Sequence, residues 1–431
     1  MVLQEQSFWR YKVKKFTKKE ISWIMYDWAN SAFAMTVLST ILPIYFTAMV
    51  GHNGISKDIA TSYWGYTNAF ASTVIAILSP VMGGLADYMG LKKKFFKFFS
   101  LTGVIFTGLL AFVPYGQWKI LMVTFIISVI GFSLGNVFYD SFLTDICEDE
   151  RMDHVSAWGY ALGYIGSTIP FIICMLFIIL AQKKIIPIST ITASKISFVI
   201  TAVWWFVFTL PMFKNVEQVH GKEYQKIEIK KIFIGVYKSF KKVKSHKKAF
   251  MFLCAYFFYI DGVDTIIRMA TSFGTAIGIG STTLLVILLV TQFIAFPCAI
   301  IYGKLSEKYS AKKMILFGIG IYIFISIFAF FMSTAGQFWV LAILVGSAQG
   351  GIQALSRSYF AKIVPKENSN EYFGFYNIFG KFAAIIGPFL VGITTQITGD
   401  VRNGVLSLIL LFAIGGYLMI KTDKIKTVKL K

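Results

Sequence analysis

Seven charged residues stand inside long apolar blocks of this 431-residue chain: Asp27, Asp140, Asp261, Asp264, Arg268, Arg357 and Lys381. A charge at mid-membrane depth costs several kcal/mol unless it is paired or wetted, so each is a functional candidate. Their spacing joins them to other polar residues. Asp27, Asn30 and Ser31 fall at i, i+3 and i+4, as do Asn136, Tyr139 and Asp140. Asp261, Asp264 and Arg268 fall at i, i+3 and i+7, and Gln349, Gln353 and Arg357 at i, i+4 and i+8. Asn377 and Lys381 are one turn apart. On helices, each set makes one polar stripe. Stripes of both signs suit binding of a zwitterionic solute. Four acids against three bases leave one acid over, which permits proton coupling.

Asp27 is the candidate proton carrier. It has no base one turn away, so it either pairs across a cavity with Lys381 or Arg357, or it titrates. Asp264 and Arg268 either neutralise each other or touch the substrate. Arg357 lies nearer a helix end and is either a gate residue or a snorkelling arginine. Tyr26, Tyr139, Tyr259 and Tyr376 adjoin the stripes and either line the cavity or pack the core.

These residues need elements to hold them, and composition says which. Hydrophobic residues make up 56% of the chain and charged residues 15%, against about a quarter charged in a soluble domain. Many apolar blocks exceed the roughly 18 residues needed to span a bilayer. Backbone at that depth must satisfy its own hydrogen bonds, so the blocks read as helices; the short alternating segments of a β-barrel are absent. Helices are predicted at 23–50, 59–86, 96–114, 118–143, 155–180, 195–213, 249–273, 280–303, 314–333, 337–360, 371–397 and 403–420. The expected organisation is a tail (1–22), a six-helix bundle (23–213), a basic linker (214–248), a second six-helix bundle (249–420) and a second tail (421–431). One set of loops and tails carries 33 lysines and arginines, the other set six. That asymmetry places both termini in the cytoplasm.

The same charge pattern accounts for the net charge of +21 without nucleic acid: the lysines flank membrane helices and face anionic lipid. Within the linker, Lys226–Lys244 alternates lysine with Ile, Phe, Val and Tyr, favouring an interfacial amphipathic helix over a solvated strand of chain. The four cysteines are scattered, and the four histidines fall in loops far apart, so neither a disulfide frame nor a metal site is expected. No cofactor is implied. No phosphate-binding loop exists to drive transport with ATP.

The two halves repeat. Gly83-Gly-Leu-Ala-Asp87 with Lys92-Lys93 recurs 220 residues later as Gly303-Lys-Leu-Ser-Glu307 with Lys312-Lys313. Asp140-Ser-Phe-Leu-Thr-Asp145 recurs 217 residues later as Arg357-Ser-Tyr-Phe-Ala-Lys362. Duplicated halves are the mark of carriers that rock about a central site. Opposite charges at matched positions, Asp140 with Arg357 and Asp145 with Lys362, suggest salt bridges between the halves at an inner gate.

The loop after the second helix of each half resembles the signature of the major facilitator superfamily. That resemblance implies a latch on the cytoplasmic side. Asp87 would meet the start of helix 11 near Asn370–Glu371, where a helix dipole favours an acid, and Glu307 the start of helix 5 near His154–Ser156. The paired lysines would anchor each loop at the lipid surface. Helices 1, 4, 7 and 10, which carry the polar stripes, are the cavity-lining helices of major facilitators.

Finer motifs narrow the match. Tyr26-Asp-Trp-Ala-Asn-Ser-Ala-Phe33, the run Val155–Gly166, Tyr259-Ile-Asp-Gly-Val-Asp-Thr-Ile266, Gln349–Ser358 and Phe373–Lys381 together resemble bacterial relatives of the yeast autophagy-linked vacuolar amino-acid effluxer. One departure is Asp140, where relatives commonly carry asparagine. The resemblance implies a permease in the bacterial cytoplasmic membrane, acting as a monomer on a small metabolite, with neutral amino acids such as leucine and tyrosine handled by the vacuolar member. Two alternatives stand beside it. A drug or lipid exporter of the same fold would have a more apolar cavity. A membrane-embedded enzyme would need a catalytic cluster, and no His/Asp pair or serine nucleophile motif is present.

Overall fold

The computed structural model describes residues 15–223, 240–276 and 278–422. Most of the amphipathic stretch expected over Lys226–Lys244 therefore lies outside the described residues. The described chain is almost wholly helical, with twelve helices long and apolar enough to cross a membrane. They are α1 (Lys18–His52), α2 (Lys57–Ala86), α3 (Leu91–Phe112), α4 (Trp118–Ile146), α5 (Asp149–Gln182) and α6 (Thr190–Asn215). In the second half come α7 (Lys247–Ala276), α8 (Ser281–Tyr309), α9 (Ala311–Phe331), α10 (Ala335–Ile363), α11 (Ser369–Thr398) and α12 (Val401–Lys421).

Several helices outrun their apolar blocks. The α5 helix starts at Asp149, not 155, and α8 continues to Tyr309. Hydropathy falls where charges begin, but a helix ends only where its backbone is capped. The Thr17 hydroxyl accepts the Glu20 N–H at the start of α1 while the Thr17 N–H donates to the Glu20 carboxylate, and Thr334 and Gln337 do the same for α10. Gly90, at φ 81, makes the left-handed turn between α2 and α3. His154 lies inside α5 and His52 ends α1, so neither is a loop histidine as expected.

Small residues set the approach of the helices. Gly159, Gly163 and Gly166 give α5 a smooth face against α1: an added Cβ would sit 2.6 Å from Asp27 Oδ2, 2.9 Å from Ser31 Oγ and 2.5 Å from the Trp28 carbonyl, respectively. Gly131 of α4 meets Gly103 of α3 backbone to backbone, and Trp205 of α6 lies over Gly103. Without a hydrophobic drive between helices in lipid, such close packing carries much of the association. Between the halves, α2 lies along α11 and α5 along α8, the matched pairs of a two-fold repeat.

One feature of α1 has no sequence signal. Phe33–Ile41 is a π-helix beginning just after the Asp27–Ser31 stripe, and Ser39 and Thr40 bond to carbonyls five residues back, at 2.8 Å each. Widened turns of this kind recur at functional sites. Replacing Gly131 by leucine would force α3 and α4 apart at a backbone contact; overpacking of this kind costs about 1–3 kcal/mol. The expected outcome is a lower unfolding temperature of the purified protein in detergent, and an unchanged one would count against the Gly103–Gly131 crossing.

Candidate functional site

Arg357 is the centre of the polar interior. It lies on α10, is 2% exposed, and crosses to the first half. Its Nη2 donates to Asp27 Oδ2 at 3.0 Å and its Nη1 to Asp140 Oδ1 at 3.1 Å. Nε donates to Ser156 Oγ at 3.0 Å, and Nη2 also to the Ser156 carbonyl at 3.2 Å. The guanidinium lies 4.5 Å from the ring centre of Trp23 and 4.4 Å from that of Tyr160. Trp23 is held in turn, stacked on Tyr139 and donating its indole N–H to the Tyr139 carbonyl. A planar cation with five donors fits this mix of acids, carbonyl and aromatic faces, where a lysine would not. Asp27 thus has a basic partner from the opposite half, and Arg357 is fully engaged, not snorkelling.

The remaining candidates divide by helix. Asn30 of α1 donates to Asn136 of α4 at 2.7 Å, so these two hold each other. Gln353 accepts from Tyr164 of α5 at 3.0 Å, a second bond between the halves. Asp264 is partly buried and lies within electrostatic reach of Arg268 and Lys381. Tyr160 and Tyr164 lie within electrostatic reach of both the Asp27–Arg357 group and Asp264. Both tyrosines lie on α5, where Tyr160 faces the Arg357 guanidinium and Tyr164 bonds to Gln353. Among the described residues, Asn377 Oδ1 and Gln349 Nε2 have no hydrogen-bond partner. Gln349 lines an apolar groove with Ile267, Leu284 and Phe338.

Of the two roles open to Tyr26 and Tyr259, the structure shows core packing: both are buried and bonded to Ser100 and Ser356 within their own halves. Two expectations are corrected. Asp261 is fully buried, and its carboxylate accepts the Gly387 N–H of α11, so it does not stand on a cavity surface with Asp264. Asp145 and Lys362 do not pair with each other. Asp145 takes Lys92 at 2.7 Å, and Lys362 takes Asp153 at 2.8 Å.

One end of the bundle, the face carrying the basic loops, is shut by contacts between the halves. Asp87 accepts from Asn370 N at 2.9 Å, Asn370 Nδ2 at 3.0 Å and Glu371 N at 3.2 Å, capping the first turn of α11. Gly83 makes that possible: a Cβ there would lie 2.4 Å from the Asn370 carbonyl oxygen. Gly303 likewise presses on Ala157, while Glu307 lies 4.0 Å from His154 Nδ1. Ser141 bonds to Asn370, and Lys366 pairs with Asp149 at 3.1 Å. Burial pushes the Asp87 carboxyl up, to about 7, with Lys222 pulling against it.

The paired lysines are not all at a lipid surface. Lys92 is fully buried and reaches Asp145 and Ser369 Oγ, so it spans the seam. Lys312 is buried and donates to the Ile420 carbonyl at 3.0 Å. Lys93 pairs with Glu217, and Lys313 is exposed. The first residues after α6 strap this loop. Gln218 Oε1 accepts from Gly90 N, His220 N donates to Asp145 at 2.8 Å, and Lys222 bridges to Tyr88 and lies 3.8 Å from Asp87.

Sequence reasoning missed Trp23, Ser156, Tyr160, Tyr164, Asp153 and the strap. A signal existed for some. Trp23 is one turn before Asp27, and Tyr160 and Tyr164 are i, i+4 within the Val155–Gly166 motif. None existed for the strap, whose bonds are mostly to backbone or cross-chain.

Comparison with known proteins agrees with this architecture. The family described as vacuole effluxer Atg22 like matches residues 16–152 and 144–429. An uncharacterised transporter of the major facilitator type from Bacillus subtilis, YxiO, is 51% identical over 94% of this chain and 94% of its own length. Autophagy-related protein 22 of Saccharomyces cerevisiae is 23% identical over 92% and 90%. Among solved structures, the proton:xylose symporter XylE superposes with a TM-score of 0.73 at 11% identity, covering 94% of this chain and 95% of that one. Twelve spanning helices in two repeated halves, a buried charge cluster at the seam and these matches make the chain a member of the Atg22-like family of major facilitator transporters, a multi-pass membrane carrier and not an enzyme.

Proposed function

We propose that this protein is a secondary carrier of a small zwitterion, in the first place a neutral amino acid, working by alternating access in the bacterial cytoplasmic membrane. The observation that carries this is a separation of charge in the interior, with two groups of opposite net charge and Tyr160 and Tyr164 within electrostatic reach of both. Asp27 and Asp140 against Arg357 leave one negative charge (−2 + 1 = −1). Asp264 against Arg268 and Lys381 leaves one positive charge (−1 + 2 = +1). Tyr160 and Tyr164 lie within reach of both groups. A substrate ammonium placed toward the acids and a carboxylate placed toward Lys381 would each meet an opposite charge. The tyrosine rings would cover an apolar side chain. A wholly apolar drug would leave both groups unanswered.

The basic face is cytoplasmic by the lysine asymmetry. On that reading the side shut by the Asp87 cap, the Lys92–Asp145–Ser369 set and the Arg357 hub is the cytoplasmic one. Opening inward requires all three to part. A substrate ammonium competing with Arg357 for Asp27 would loosen the hub, coupling occupancy to rocking. Anionic lipid headgroups would meet the exposed lysines of the loops.

Purified protein in liposomes loaded with leucine should take up labelled leucine by counterflow. Uptake restricted to bulky apolar compounds would remove the amino-acid reading. Arg357→Gln strands two acids, and breaking a buried pair costs about 3–5 kcal/mol, so it should lower the unfolding temperature clearly; adding Asp140→Asn should recover part of the loss, because one stranded charge is gone. No recovery would mean that Asp140 and Arg357 do not interact directly. Asp87→Asn removes a charge from the α11 dipole, worth about 1 kcal/mol, and should shift a few-fold more protein to an inward-open state. Spin labels at the exposed positions Lys94 and Lys313 would show this as a longer distance population.

A further inference from the structure

Asp261 is a buried acid for which the mechanism above has no use. It sits on α7 at 0% exposure. Its Oδ1 and Oδ2 accept the Gly387 N–H at 2.9 and 3.0 Å, and Thr265 Oγ1 donates to Oδ1 at 3.3 Å. Among the described residues, no cation forms an ion pair with it. The contrast with the other interior acids is sharp. Asp27 and Asp140 share Arg357, and Asp264 has Arg268 and Lys381.

The surrounding helices supply no further charge at this level. Asp264 on the same helix acts on Asp261 as a like charge. Lys381 on α11 and Arg268 on α7 act on Asp264. The sequence has no charged residue in α8 before Lys304, in α9 after Lys313, in α10 before Arg357, or in α12 between Arg402 and Lys421. Arg402 itself lies at the start of α12, 3.9 Å from Asp400.

The partner of Asp261 is a weak point in α11. Pro388 lies inside that helix and has no N–H, which leaves a carbonyl one turn back without its helical donor. Gly387 permits no side chain: a Cβ would fall 2.0 Å from Thr265 Oγ1 and 2.7 Å from Asp261 Oδ1. The ionised carboxylate thus holds the backbone of α11 at its break. The same helix begins at Asn370 and Glu371, where Asp87 caps it, and passes Lys381 on the way.

We propose that Asp261 is a proton-binding site of this carrier, and that protonation loosens its hold on Gly387 so that α11 bends differently at Pro388. A proton arriving from water adds to one carboxylate oxygen and forms an O–H bond. The carboxyl then has one acceptor oxygen fewer for the Gly387 N–H and a new O–H that needs an acceptor, which Thr265 Oγ1, 3.3 Å from Oδ1, can provide. No other bond is made or broken, and the proton leaves by the reverse step. Bending of α11 moves Lys381 relative to Asp264 and changes the angle at which the first turn meets Asp87. One helix thereby links a proton, the positive end of the substrate site and the latch.

This rests on the carrier reading only for its transport consequence. The test therefore has two arms. Infrared spectra of the purified protein in lipid, taken across pH in ordinary and heavy water, should show a protonated-carboxyl band that disappears as pH rises. The band should be absent in Asp261→Asn, shifted in Asp261→Glu, and retained in Asp27→Asn. Thr265→Val keeps the native acid but removes the neighbouring hydroxyl, and should move the band; this variant decides the matter if Asp261→Asn does not fold. The spectra are compared on an Asp87→Asn background, because that carboxyl also protonates near neutral pH; there, a band that survives in Asp261→Asn, or is unmoved in Thr265→Val, overturns the proposal. In the second arm, liposomes given an inward acid gradient should accumulate labelled leucine with the wild-type protein and lose that accumulation with Asp261→Asn; retained accumulation overturns the proposal. If leucine is not moved at all, the amino-acid reading fails and the infrared arm still decides the proton site.

Discussion

The Arg357 guanidinium lies between the two halves, buried at the seam where both of its carboxylate partners come from the first half. Its charge is too costly to bury alone at that depth, and both acids that answer it, with the serine that completes its bonds, come from the other half. The halves can therefore separate at this end only if those acids find another cation or water reaches them. That constraint ties the closed seam on the basic face to the contents of the interior. The tryptophan and tyrosine planes on either side of the guanidinium keep water out of the hub while it is closed.

Around this hub the duplicated parts and the unduplicated parts do different work. Gly83 and Gly303 each let a helix of one half press against the other, and Asp87 uses the dipole of α11 as a binding partner. The lysine pairs have diverged. Lys92 is a buried spanner, whereas its repeat Lys312 caps the end of α12 within its own half. The strap after α6 adds to this asymmetry, since Gln218, His220 and Lys222 all bond to the first latch loop or to Asp145. Symmetry sets where the halves touch; broken symmetry sets which contacts carry charge.

The second half places its acids at different depths of function. Asp264 belongs with Arg268 and Lys381 beside the interior tyrosines, while Asp261, only three residues earlier, turns into the α7–α11 interface. A three-residue step on a helix rotates the side chain by about 60° from the previous one. That rotation separates an acid facing the interior from one facing the next helix. The break at Pro388 makes the second position consequential, because the acid grips the backbone N–H of the residue just before it.

Hydropathy alone determined the twelve helices of the described residues, because a bilayer tolerates neither unsatisfied backbone nor unpaired charge, and the lysine count adds an expected orientation. The offset repeat, with the matched charges at 140 and 357, made the seam visible, since duplicated segments must occupy equivalent places. Helix periodicity could name the polar stripes but not their partners. Whether Asp27 meets Arg357 or Lys381, whether Asp145 meets Lys362 or Lys92, and whether Asp261 shares a cavity with Asp264 depend on crossing distances between helices far apart in sequence. Glycines such as Gly159 and Gly83 set those distances through close backbone approach. The π-turn of α1 and the strap after α6 were hidden for the same reason: backbone hydrogen bonds carry no side-chain signature, so only the assembled bundle decides them.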